Sequence, residues 1–220
     1  MLRIQKLFLI TSFFVLFSPR PCAASHEIPV ATALDVSGVA EVLQPSVSGW
    51  MPLKKMTPIQ SGSKVRTGDK GSTHIIFEKD LETAVKLDKN SELNFLTDRP
   101  LTVFLEKGRL FVLREEGAEA LFEIRSRHLR ARMGLGGCIL DVTAQGIRVR
   151  MFGGEALLGS QEAPLAEGYQ FSGHFRGKKT ETRRNRMIYR DIIDWQTWVR
   201  QWYEMKDDFF AAKLEKEMGF

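Results

Sequence analysis

The sequence predicts a mainly β protein, an antiparallel sandwich, roll or irregular solenoid of about a dozen short strands, closed by one C-terminal amphipathic helix. Three observations predict it. From Ile28 to Phe175 apolar and polar residues alternate at period two. Glycine-bearing turn signals punctuate that region at the spacing of about 8–12 residues that all-β domains favour. From Met187 to Met218 the apolar period lengthens to that of a helix, with no Pro or Gly before Gly219.

The N-terminus sets the compartment. Arg3 and Lys6 precede an apolar run, Leu7 to Phe17, interrupted only by Thr11 and Ser12, and Ser18-Pro19-Arg20-Pro21-Cys22-Ala23-Ala24 follows. This is the pattern of a secretory signal peptide over 1–24, cleaved near Ala24. The run is about half the roughly 20 residues that cross a bilayer, so no transmembrane segment is expected after cleavage and the protein is expected to be periplasmic or secreted. Arg20 and Pro21 ahead of Cys22 argue against lipidation. Cleavage leaves Cys138 alone, so stability must come from a packed core rather than a disulfide.

The whole chain carries a formal charge of +5. Without Arg3, Lys6 and Arg20 it holds 29 Lys and Arg against 27 Asp and Glu, a net of +2, which is not the balance of a nucleic-acid binder. Basic residues concentrate instead at Arg176, Lys178, Lys179, Arg183, Arg184, Arg186 and Arg190. The stretch 176–186 lacks apolar residues and reads as a solvated basic linker between a β domain (25–175) and the helix (187–220).

Within the β domain, Glu106-Lys107-Gly108 separates two apolar strands, Ala144-Gln145-Gly146 separates two more, and Gly153-Gly154 precedes another. Gly supplies the positive φ of a tight turn. In Ile147–Phe152, Ile147, Val149 and Met151 share the core face while Arg148 and Arg150 share the polar one, as in a half-buried strand. In the helix, Ile188, Ile192, Trp195, Val199 and Trp202 recur at steps of three and four, widened by Trp198, Met205 and Phe209. Such a stripe either folds back over the β domain or docks another protein, with Trp195, Trp198, Trp202 and Phe209 as the contact residues. Asp and Glu dominate the polar face, which argues against a membrane-surface helix.

Candidates for chemistry are sparse. His26, His74, His128 and His174 are widely spaced, without the paired ligands of a metal site, and His74 and His128 read as half-exposed strand residues. A site joining His74, His128 and Cys138 across the fold is the metal alternative. Cys138 follows Gly134-Leu135-Gly136-Gly137 and reads as a small buried residue; as a nucleophile it would need an electropositive, partly exposed setting. The glycines match no phosphate-loop spacing. Arg125, Arg127, Arg130 and Arg132, taken as one strand, fall on opposite faces in pairs, which implies a bulge, a protected sheet edge or a surface for an anionic polymer.

Val36-Ser37-Gly38-Val39, Trp50-Met51-Pro52-Leu53, Val65-Arg66-Thr67-Gly68 with Ser72 to Phe77, Leu105 to Leu110, and Gly154-Glu155-Ala156-Leu157 with Leu165-Ala166-Glu167-Gly168 follow one another in an order that resembles a FecR-like extracytoplasmic domain over about Val30 to Phe171. FecR-type proteins relay outer-membrane receptor occupancy to a sigma factor through a cytosolic segment and one spanning helix. Six residues before the apolar run are too few for that segment. The resemblance therefore implies a stand-alone, exported, non-enzymatic interaction or signalling scaffold of the cell envelope, without cofactor, whose partner is an envelope protein or a second copy of the chain. The alternatives are a peptidoglycan or polysaccharide binder using the Arg125 to Arg132 run, and a thiol- or metal-dependent enzyme at Cys138.

Overall fold

In the computed structural model, residues 29–98, 100–118, 121–176 and 179–218 are described. The expected signal peptide, its cleavage site and His26 lie outside them. Among the described residues fifteen strands share one mixed sheet. They are β1 (Ala31–Ser37), β2 (Ala40–Leu43), β3 (Met51–Pro52), β4 (Thr57–Ile59), β5 (Lys64–Thr67), β6 (Ser72–Phe77), β7 (Asp80–Leu87), β8 (Glu92–Asp98), β9 (Leu101–Arg114), β10 (Phe122–Arg125), β11 (Arg130–Val142), β12 (Gly146–Leu158), β13 (Ala163–Ala166), β14 (Tyr169–Arg176) and β15 (Lys179–Arg186). One path runs β15-β14-β12-β11-β10-β9-β7-β6-β1-β4, and a branch leaves β9 through β8, β5, β2 and β3. Every pairing among them is antiparallel except that of β9 with β10.

Long strands bend where the sequence suggested turns. Glu106-Lys107-Gly108 does not reverse the chain; β9 continues through it as one strand of 14 residues. Its first half pairs with β8 and β10, and its second half pairs with β7 and β11. Gly108 sits at the changeover with φ +93°, where a Cβ would collide with Ser91. Gly153-Gly154 is likewise an interior bend of β12, opposite register shifts in β11. Ala144-Gln145-Gly146 is the true hairpin, joining Val142 to its partner Ile147. The bends curl the sheet so that one face of nearly every strand meets in a single core, including Phe77, Phe95, Phe122, Leu105, Val112, Met133, Leu140 and Val149.

The basic linker is a strand. Residues 179–186 pair with β14 from Arg176↔Lys179 to Tyr169↔Arg186. An edge strand exposed on both faces needs no apolar residue, and so its sequence looks like a linker. α1 (Tyr189–Met218) then crosses the outer face of the sheet. Trp198 and Trp202 are 1% and 0% exposed, and Phe209 is buried with them. Trp202 and Phe209 pack on Leu34, Ile76 and Ala84, while Trp198 packs on Phe111 and Ile139. Ile188, expected in the stripe, points to solvent.

Candidate binding surfaces

The four helix residues expected to dock a partner are occupied within the chain. Trp195 stacks flat on Phe152 at 4.9 Å and 5°, and meets Trp198 edge-on at 5.1 Å. A Cβ on Gly137 would run into the Trp195 ring, so that glycine makes room for the helix rather than for a phosphate. The helix stripe is thus part of the fold. Its apolar surface would be costly to leave open, and the sheet offers a matching apolar strip.

The arginine run is a hairpin, not a strand with two charged faces. Ser126 N–H donates to the Leu129 carbonyl at 2.8 Å, and Ser126 Oγ accepts from Leu129 N–H at 3.1 Å, closing the turn between β10 and β11. Ser hydroxyls seed such turns by imitating a backbone acceptor. Arg125 and Arg130 become cross-strand partners and converge on the buried Glu123. Arg130 donates from Nε to Glu123 Oε2 at 2.8 Å. Burial resists ionisation of Glu123, but hydrogen bonds from Arg130 and Arg125 outweigh it and hold its carboxyl below the usual range. Arg132 pairs with Glu162, and Arg127 is exposed in the turn. Three of the four arginines are therefore already paired with carboxylates, Arg125 and Arg130 sharing Glu123 and Arg132 taking Glu162.

Cys138 lies in the main core at 1% exposure, its Sγ donating to Met133 Sδ at 3.5 Å. Burial pushes its thiol far up, away from the thiolate that a nucleophile requires. His128 is exposed in the β10–β11 turn. Among the described residues no group of three or more His, Cys, Asp or Glu is placed to hold a metal ion, so His74, His128 and Cys138 do not form the metal site considered above. We expect a thiol reagent such as DTNB to leave Cys138 untouched in the folded protein and to modify it promptly in denaturant. Rapid labelling of the native protein would restore the thiol reading.

The outer face carries a row that the sequence pattern did not reveal. Register places Asp35, His74, Lys86, Phe111, Ile139 and Arg150 side by side across β1, β6, β7, β9, β11 and β12. α1 covers this row. Arg150, read as solvent-facing, is 2% exposed. Its Nη1 donates to Asp191 Oδ1 at 2.6 Å, and its Nη2 pairs with Asp141. Arg109 Nε donates to the other Asp141 oxygen at 2.5 Å, and Asp194 lies 3.7 Å from Arg109. Asp191 also accepts from the Ile188 N–H at 3.4 Å, in the first turn of α1 where an anion opposes the helix dipole. At the far end, Lys206 Nζ donates to Glu82 at 2.8 Å and Glu115 at 2.5 Å. Ion pairs thus fasten α1 at both ends of its aromatic contact.

At the opposite end of the row, His74 is 6% exposed and not half-exposed as expected. Among the described residues neither ring nitrogen, both closed off from the surface, has a partner at hydrogen-bond distance, and Nδ1 faces Asp35 Oδ2 at 3.7 Å. Burial, and secondarily the Lys86 ammonium, lower its pKa to about 4 against partial support from Asp35. The ring is therefore neutral at neutral pH. Burial likewise lowers the Lys86 pKa.

β15 presents a different surface. Among the described residues it pairs with β14 alone, and no other described strand lies along its outer backbone edge, which is eight residues long. The other strands paired on one side only, β3, β4 and β13, have two, three and four residues. Thr182, Arg183, Arg184, Asn185 and Arg186 are all exposed. No helix of the described residues is long and apolar enough to cross a membrane.

No protein-family model matches the chain, and no curated protein matches it. Among solved structures, the fold is similar to a 1.65 Å crystal structure of a candidate anti-sigma factor from Parabacteroides distasonis. The TM-score is 0.49 at 15% identity, over 60% of this chain and 64% of that one. A 2.50 Å crystal structure described in the same words gives 0.48 and 15%, over 60% and 63%. The chain thus spans less than two thirds of the length of either.

Proposed function

We propose that this is an exported, FecR-like, non-enzymatic interaction protein of the cell envelope, regulatory or signalling in class, that holds a partner protein along the open edge of β15. The observation that carries this reading is the bare, basic, eight-residue edge left after the helix has been used internally. An exposed edge accepts an added strand through its unpaired N–H and C=O groups, and alternate side chains set the selectivity. Arg183, Arg184 and Arg186 favour a partner strand rich in Asp and Glu, since guanidinium forks match carboxylates. A second copy of the chain matches less well than an acidic strand, because antiparallel pairing of β15 with itself in full register sets Lys179 against Arg186 and leaves only Glu181 opposite Arg184 to offset it. The burial of Cys138 supports the non-enzymatic part of the reading.

The triple reversal Arg183→Glu, Arg184→Glu and Arg186→Glu tests it. These side chains are exposed, so each change should alter stability by no more than about 0.5 kcal/mol. Capture of a defined envelope protein, confirmed with both components purified, should fall by about tenfold or more, and wild-type binding should weaken with salt. Equal capture by the folded triple variant would remove β15 from the interface. Retention on peptidoglycan sacculi in place of a protein would transfer the function to polymer binding.

A further inference from the structure

We propose that His74 is an acid-sensitive latch beneath α1: while its ring is uncharged, α1 lies closed on the outer face of β1, β6 and β7, and protonation of the ring drives the segment around Trp202 off that face. The register sets up this role. His74 and Lys86 are partners on β6 and β7, two residues along the same face from the partners Ile76 and Ala84, on which Trp202 is seated. A charge on His74 therefore arises beside the seat of a tryptophan that is 0% exposed.

An apolar residue at this position would extend that seat without polar cost. His74 instead buries two ring nitrogens that have no partner at hydrogen-bond distance among the described residues, an arrangement that costs stability even when the ring is neutral. Charging the ring costs more, because an ion loses more hydration on burial than a neutral group does. The charged groups that face it leave most of this penalty in place. Lys86 of β7 repels an imidazolium. Asp35 of β1 and Glu204 of α1 attract it, but both carboxylates reach solvent, where the attraction is screened.

Burial, and after it Lys86, hold the ring at a pKa of about 4 against 6.5 for a free imidazole, so the closed state binds fewer protons than an open one. The stability of closure is complete above about pH 6.5 and is lost progressively as the pH falls toward 4. The neighbouring Lys206 anchor lets go only in stronger acid. Burial resists ionisation of its partner Glu115, but hydrogen bonds from Lys206 and Tyr203 outweigh it and hold that carboxyl below the usual range. The exported reading supplies a use for such a latch, since an exported protein meets the acidity of its surroundings directly.

Hydrogen exchange of α1 peptides in the whole protein, corrected for the intrinsic rate at each pH, tests the latch. Protection around Trp202 should fall about thirtyfold between about pH 7.5 and about pH 5, the linkage factor for a group moved from 6.5 to about 4. His74→Leu should abolish that fall, and His128→Asn, at an exposed turn position, should retain it. In the wild-type protein labelled with ¹⁵N at histidine, the His74 ring should remain neutral at about pH 5, a measurement that does not depend on the folding of any variant. The proposal is overturned if protection stays constant over this range, if it falls equally in His74→Leu, or if the His74 ring titrates near 6.5 with α1 still protected. None of these outcomes involves the β15 edge.

Discussion

Trp202→Ala is expected to destabilise the protein by about 3–5 kcal/mol, the range for deleting a fully buried aromatic side chain. Trp202 is 0% exposed, wedged among Leu34, Ile76, Ala84 and Phe209, so its loss leaves a cavity at the centre of the helix–sheet contact. Unfolding in urea, followed by far-UV circular dichroism and by the fluorescence of the remaining tryptophans, should show a single transition at lower denaturant. Trp195→Ala should cost less, because Trp195 is only partly buried and rests on Phe152 at the rim. Removing 187–220 altogether should expose Leu34, Ile76, Phe111 and Ile139 and produce dye binding or aggregation. If Trp202→Ala leaves the transition in place, α1 is a detachable arm and the docking role of its tryptophans returns.

Arg150→Ala should be comparably severe, at about 3–5 kcal/mol, because it leaves Asp191 and part of Asp141 buried without their cation. The loss is not a measure of what the ion pair contributes, since much of it is the cost of stranded carboxylates. A double-mutant cycle separates the two. Arg150→Met with Asp191→Leu removes both charges, and should recover part of the stability lost in Arg150→Met alone, with a coupling of about 0.5–3 kcal/mol. Additive effects would mean that Arg150 and Asp191 do not act together and that the N-terminus of α1 is held by its other contacts, the aromatic stack and the Arg109–Asp194 pair.

These predictions concern residues that the sequence made legible to different degrees. The Trp stripe was readable because helical periodicity is a local property, and so was the choice between its two fates, although not the answer. Arg150 and His74 were misread for one reason. On a strand, alternation separates one face from the other, but whether the second face meets water depends on what the rest of the chain lays over it. Here α1, starting nearly 40 residues after Arg150, covers that face. The row from Asp35 to Arg150 exists only through the register of six strands, which no short window of sequence contains.

By itself the sequence determined the class of the protein: period-two alternation for the sheet, the change to helical period after Met187, and the glycines at which the chain departs from regular extended backbone. These follow from φ preferences and nearest-neighbour spacing, which each residue carries with it. Tertiary structure decided which glycines reverse the chain and which only bend it, as Gly146 and Gly108 illustrate. It also turned Arg125 to Arg132 into a hairpin around Glu123, and gave the residues 179–186 a strand to pair with. Each of those outcomes depends on a partner distant in sequence, and burial, charge pairing and backbone hydrogen bonding acquire their sign only once that partner has arrived.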